Sequence, residues 1–209
     1  MQKKIVLLTE GGFIVFVIII MLSLSTISTT IITQTTLAQT NNYNNNNNNN
    51  NTVTYENPTY GIKIQHPSDW KTEEDTAPHF SVSFIAPSLT TNNSDRTTPP
   101  ALIRFGVDNL PSGNFSLEDF TNIQIAGARQ TYPIFTLYQL NSTTLAGNTP
   151  AQQLIFSTID DKHREAKSMQ FFMLNDNKSY HITYIAKPES YSEFLPIAQK
   201  MIDSFEFIQ

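Results

Sequence analysis

Four consecutive apolar residues, Phe171-Phe172-Met173-Leu174, constrain the fold of this chain more than any other feature. Side chains in a strand alternate between the two faces of a sheet. A run that is apolar at every position must therefore be covered on both sides. The run predicts an interior strand sandwiched between two layers of helix, and Asn175-Asp176-Asn177-Lys178 behind it is a turn.

The flanking sequence supplies further strands. Val53 and Tyr55 alternate with polar residues, Asn57-Pro58-Thr59-Tyr60-Gly61 is a turn cluster, and Ile62 and Ile64 alternate again before Pro67. That pattern is a hairpin. Phe80, Val82, Phe84 and Ala86 share one face of a third strand. Ala101, Ile103, Phe105 and Val107 share one face of a fourth, with Arg104 and Asp108 opposite. Further strands are predicted over 134–140, within 148–159, over 165–174 and over 179–186. Residues 87–100 and the acidic run Glu73-Glu74-Asp75 read as loops.

Two helices complete the set. Ser116 stands three residues before Asp119, a variant of the capping box, and Leu117, Phe120 and Gly127 follow at helical spacing. Glu118 and Asp119 lie where the helix dipole favours acids, and Pro133 ends the helix. The second helix is predicted from about 191 to 204, striped by Phe194, Ile197, Ala198 and Met201. The expected class is α/β in the α+β sense: a central, mostly antiparallel sheet with helices on both faces, an α/β/α sandwich.

Ahead of this domain stand two segments of different character. Lys3 and Lys4 precede the apolar run from Phe13 to Leu22, and Thr36-Leu37-Ala38 places small residues before Gln39. This is the order a signal peptidase reads, with cleavage expected after Ala38. Retention of the same segment as a membrane anchor is the alternative, since residues 11–38 carry no charge and are long enough to cross a bilayer. Ten of the eleven residues from Asn41 to Asn51 are Asn. Nothing apolar there offsets the entropy of ordering the chain, so it reads as a flexible spacer. The division expected is 1–38 leader or anchor, 39–51 spacer, and 52–209 folded domain, working extracytoplasmically, secreted or anchored at the cell surface.

The charge pattern narrows the function. The net charge is −5 without basic clusters, which leaves no footprint for nucleic acid. The membrane is expected to be met only through the N-terminal segment. The chain has no Cys, so neither a disulfide nor a thiolate metal site supports the fold. There is no Gly-x-Ser-x-Gly turn and no Gly-rich phosphate loop. No cofactor is expected.

The stretches Tyr55-Glu56-Asn57, Gly61-Ile62-Lys63-Ile64-Gln65-His66-Pro67-Ser68-Asp69-Trp70, Tyr180-His181-Ile182-Thr183-Tyr184 and Ile202-Asp203-Ser204-Phe205 resemble the PsbP-like family over about residues 52–208. The resemblance implies an α/β/α sandwich and a non-catalytic binding or assembly part. The member that gives the family its name is an extrinsic lumenal subunit of the oxygen-evolving photosystem. This chain carries a secretory leader and an Asn tract instead of a plastid transit peptide, so photosynthesis is not carried over.

Candidate site residues follow from local chemistry. His66, Asp69 and Trp70 lie just past a strand end, as a small polar site with an aromatic wall or as a packed corner in which Trp70 fills the core. His181 shares a polar strand face with Ser179 and Thr183 and is a further ligand-binding candidate. Asp160, Asp161 and His163 in a turn are weak metal candidates, and more often such a cluster is a solvated turn. Asn50, Asn92, Asn114, Asn141 and Asn177 head glycosylation sequons, of which Asn92 is the best placed. The expected function is an exported, non-enzymatic domain that binds a protein partner or a small ligand at the cell envelope. An envelope hydrolase with a site assembled from distant residues, or a structural cell-surface component, are the alternatives.

Overall fold

The computed structural model describes residues 51–75, 79–87, 99–110 and 114–208. The leader, nearly all of the Asn spacer, and the sequons at Asn50 and Asn92 lie outside these residues. The described chain forms β1 (Thr52–Asn57), β2 (Ile62–Pro67), β3 (Lys71–Asp75), β4 (Phe80–Ile85), β5 (Ala101–Asn109), α1 (Leu117–Thr131), β6 (Ile134–Leu145), β7 (Thr149–Ile159), β8 (Glu165–Asn175), β9 (Lys178–Ala186), α2 (Pro188–Asp203) and β10 (Glu206–Phe207).

Seven strands make the large sheet, in the order β3-β4-β5-β9-β8-β7-β6, with every neighbouring pair antiparallel. The β8–β9 connection is a tight hairpin in which Asp176 and Asn177 both take positive φ, the conformation a two-residue turn demands. A second sheet of three strands, β1-β2-β10, lies against the large one.

The run at 171–174 behaves as its pattern requires. Phe171 and Met173 join the principal core with Tyr191, Phe194, Ala198, Met201 and Ile202 of α2. Phe172, with Leu174 partly buried beside it, joins a smaller core with Phe120 and Ile125 of α1. The helices therefore cover opposite faces, as expected, and the small sheet shares the α2 side through Ile62 and Ile64. The principal core buries some of the largest side chains completely, among them Phe84, Ile103, Ile182 and Tyr184 at 0% exposure. Each such side chain contributes on the order of 2–3 kcal/mol.

Capping explains where the helices begin. Ser116 Oγ accepts from the Asp119 backbone N–H at 3.0 Å and donates to Asp119 Oδ2 at 2.6 Å. Helix α2 starts earlier than its apolar stripe suggests, because Pro188 occupies the first turn, where a fixed φ and a missing N–H cost nothing.

Three further elements differ from the sequence reading. Glu73-Glu74-Asp75, expected in a loop, belongs to the edge strand β3, exposed along its whole length and thus without an apolar face to betray it. Strand β6 runs on to Leu145, past the expected end at 140. The tail forms β10 on β2, where Ile208 N–H donates to Gly61 O at 2.9 Å. Gly61 takes φ +66°, and a Cβ there would press on Ile208 O, so this close approach requires glycine.

Candidate functional site

The registers of the large sheet set one cross-strand row on the α1 side: Glu73, Ser83, Arg104, Thr183, Gln170 and Leu154. The next row on that face is Asp75, Ser81, Gly106, His181, Phe172 and Gln152. The face is polar from β3 to β9 and turns apolar towards β7. Helix α1 packs on β6, β7 and β8, so it covers the apolar half. Among the described elements, none packs over the polar half. A small cleft, with about 50 Å³ of room for the centres of water-sized molecules, runs along the border. Gln124, Ile125, Ala128 and Tyr132 of α1 and its end form one wall; Arg104, Thr183, Gln170, His181 and the apolar Phe135, Leu154, Phe156 and Phe172 form the rest.

Arg104 is the charged side chain of that lining. Its Nε donates to Ser83 Oγ at 3.0 Å, which fixes the guanidinium plane. Burial lowers the Arg104 pKa, while Asp75, Tyr132 and Glu73 favour its charge. An arginine keeps its proton under such conditions. Gln170 Nε2 donates to Thr183 Oγ1 at 3.0 Å, so the floor beside Arg104 is a tied polar pair.

The His181 ring lies against Gly106, its partner across β5 and β9, with the Nε2 edge nearest. A side chain at Gly106 would occupy the imidazole's place. His181 is 5% exposed, with Nε2 3.7 Å from Asp108 Oδ2. Asp108 Oδ1 lies 2.7 Å from His79 Nδ1. Burial first, then the charges of Arg104 and His79, bring the His181 pKa down to about 3. The ring is therefore neutral at any ordinary pH. Burial raises the Asp108 pKa, and His79 opposes that rise. His181 Nδ1 is buried with no hydrogen-bond partner among the described residues. An orphaned buried nitrogen costs about 1–3 kcal/mol.

The candidates named from sequence fall in different places. His181 lines the cleft. His66 and Trp70 are on the opposite face of the sheet, in the α2 layer: the His66 ring lies 4.6 Å from that of Phe84, and Trp70 meets Phe194 edge-on at 6.1 Å. His66 Nδ1 is 2.9 Å from Pro67 O, and burial lowers its pKa. Asp69 is exposed in the turn between them. Asp160 accepts from the Lys162 and Arg164 backbone N–H groups, both at 2.9 Å, and pairs with the Arg164 side chain at 2.6 Å. It is thus occupied as a turn brace, and no group of three or more metal-ligating side chains forms among the described residues. Asn114, Asn141 and Asn177 are exposed.

Arg104, Gln170, Thr183, Tyr132 and Gly106 were not singled out from sequence. The signal that could have found them is the polar alternation of three strands, Ser81/Ser83, Arg104/Asp108 and Ser179/His181/Thr183.

Comparison with known proteins bears on the fold. The family model described as PsbP-like protein matches residues 11–207. The cyanobacterial PsbP of Synechocystis sp. PCC 6803 superposes with a TM-score of 0.55 at 12% identity, covering 75% of this chain and 92% of that one. PA94 from Pseudomonas aeruginosa, a protein of unknown function described as a putative regulator, gives 0.52 at 14% identity, covering 73% and 94%. No curated protein matches.

Proposed function

Since the chain belongs to the PsbP-like family, we propose that it is a non-catalytic binding domain of the cell envelope whose ligand sits in the cleft beside α1. The observation that carries this reading is the polar half-face. A sheet built for stability alone would have no reason to bury Ser83, Ser168, Thr183 and His181 beside a partly buried arginine, because polar groups cost free energy unless fully paired. Concave sites with an apolar wall and a few convergent polar groups are where small molecules bind. The leader-like segment and the Asn tract support export and a tether, or release, outside the cytoplasm.

One observation favours a hydrolase as the second reading. His79, Asp108 and His181 bring two imidazoles and a carboxylate together. Against it, a His181 that holds no proton above about pH 3 is a poor general base at neutral pH.

Native mass spectrometry of the protein recovered from the envelope or medium of an expressing host tests the main reading. A small molecule is expected to remain bound, and to leave when Ala128→Phe fills the cleft. Turnover of ester or amide substrates that disappears with His181→Asn would instead establish the hydrolase.

A further inference from the structure

We propose that the cleft holds a carboxylate carried on a compact apolar body, with the carboxylate on Arg104 and the body against Ile125, Phe135 and Phe156. This rests on the reading of the cleft as a binding site and gives its ligand a chemical class.

The sign of the head group follows from the lining. Arg104 is its charged member, so a cation would meet repulsion and a neutral group would leave the guanidinium without a counter-charge inside the cleft. With Nε tied to Ser83, the plane of the guanidinium is set before a ligand arrives. A planar carboxylate matches two of its N–H groups, and such paired contacts are about twice as strong as neutral ones. The number of charges follows as well. Glu73 and Asp75 reach Arg104 from the β3 side and offset part of its charge, and among the described residues no second lysine or arginine lines the cleft. A monoanion suits that balance, and a phosphate dianion does not.

The apolar half sets the rest of the molecule. Phe135 and Phe156 pack ring to ring at 5.2 Å, and Ile125 of α1 faces the same core. The tail, straight-chain or aromatic, lies along these groups while Gln170 and Thr183 line the passage to the head.

Calorimetric titration of the full chain with 4-phenylbutyrate, octanoate, 4-phenylbutyramide and 4-phenylbutylamine tests this. At least one acid is expected to bind, roughly tenfold or more tighter than the amide, with the amine not binding. Comparing phenylbutyrate with octanoate tells an aromatic acid from a fatty one. Arg104→Gln should reduce the acid to the amide's affinity, and Arg104→Lys should fall between, having lost the paired geometry. Ala128→Phe should abolish binding with Arg104 intact, and carries the test if Arg104→Gln does not fold. Equal affinity for acid and amide, or preference for the amine, overturns the anionic head but leaves a binding cleft. Acid binding indifferent to both substitutions places it elsewhere and overturns the proposal. No binding by any probe to folded protein overturns this assignment, and if native mass spectrometry also finds the cleft empty, the binding reading falls with it.

Discussion

The two faces of the large sheet are made by the same strands in the same registers, yet they differ in nearly every property. On the α2 side one row reads Thr72, Phe84, Ile103, Tyr184, Met169, and the next reads Glu74, Val82, Phe105, Ile182, Phe171. One residue along each strand, on the α1 side, stand Ser83, Arg104, Thr183 and Gln170. The first face is sealed by a helix and a second sheet. Among the described elements, α1 alone packs on the second, and it covers half of that face. Where polar groups do occur on the sealed side they are paired: the Tyr184 hydroxyl donates to Tyr191 O at 2.7 Å, and Tyr55 donates to Glu74 at the rim at 2.7 Å. On the half-covered side His181 Nδ1 has no such partner among the described residues. On the binding reading proposed above, stability and recognition are divided between the faces of one sheet.

That division can be broken at four points, in falling order of effect. Phe105→Ala removes a ring that is 1% exposed and packs on Phe205 at 5.2 Å, on the sealed face. It should cost about 3–5 kcal/mol in denaturant unfolding, and a loss below about 1 kcal/mol would mean that face is not the main source of stability.

Acid should act through the other face. His181 has its folded pKa near 3, against 6.5 for the free group. As pH falls below about 6.5 the unfolded chain takes up a proton that the native state refuses. Stability is then complete above that pH and is lost downward by at most about 1.4 kcal/mol per unit, or about 2–3 kcal/mol by pH 4.5. Asp108, whose folded pKa is raised, takes its proton more readily when native and returns part of this. His181→Asn should flatten the acid limb of a stability–pH curve. An unchanged limb would assign it to other groups.

Gly106→Ala should cost about 1–3 kcal/mol, because the new methyl meets the His181 ring and the core must shift. Combining it with His181→Ala should recover most of that. Additive losses in the double-mutant cycle would show that the imidazole is not what requires glycine. The smallest effect is expected of Ser83→Ala, roughly 0.5–1.5 kcal/mol or less. It frees the Arg104 guanidinium without removing its charge, so binding of an acidic ligand should weaken more than folding does.

The sealed face was legible in the sequence because burial on both sides of an interior strand leaves a mark in the residues themselves. Phe171 to Leu174 announced two cores, and Ser116 announced a helix start. Strand β3 left no such mark, since an exposed edge strand of Lys71-Thr72-Glu73-Glu74-Asp75 needs neither apolar alternation nor turn-free composition. The cleft was legible only in pieces. Alternation along β5 and β9 placed Arg104, His181 and Thr183 on polar sides of their own strands. That Arg104 sits across from Thr183, and Thr183 from Gln170, depends on registers between distant segments. His66 and Trp70, read as either a small site or a packed corner, pack in the core on the other side, against Phe84 and Phe194.

The route by which the chain enters the domain has a bearing on traffic to the cleft. Asn51 O accepts from the Ser68 backbone N–H at 2.8 Å, at the head of β1, within the layer that also contains α2. The seven-stranded sheet thus stands between Asn51 and the face on which the Arg104 side chain lies. If the cleft binds a ligand as proposed, its mouth opens on the side of the sheet away from Asn51, and a ligand would enter from that side.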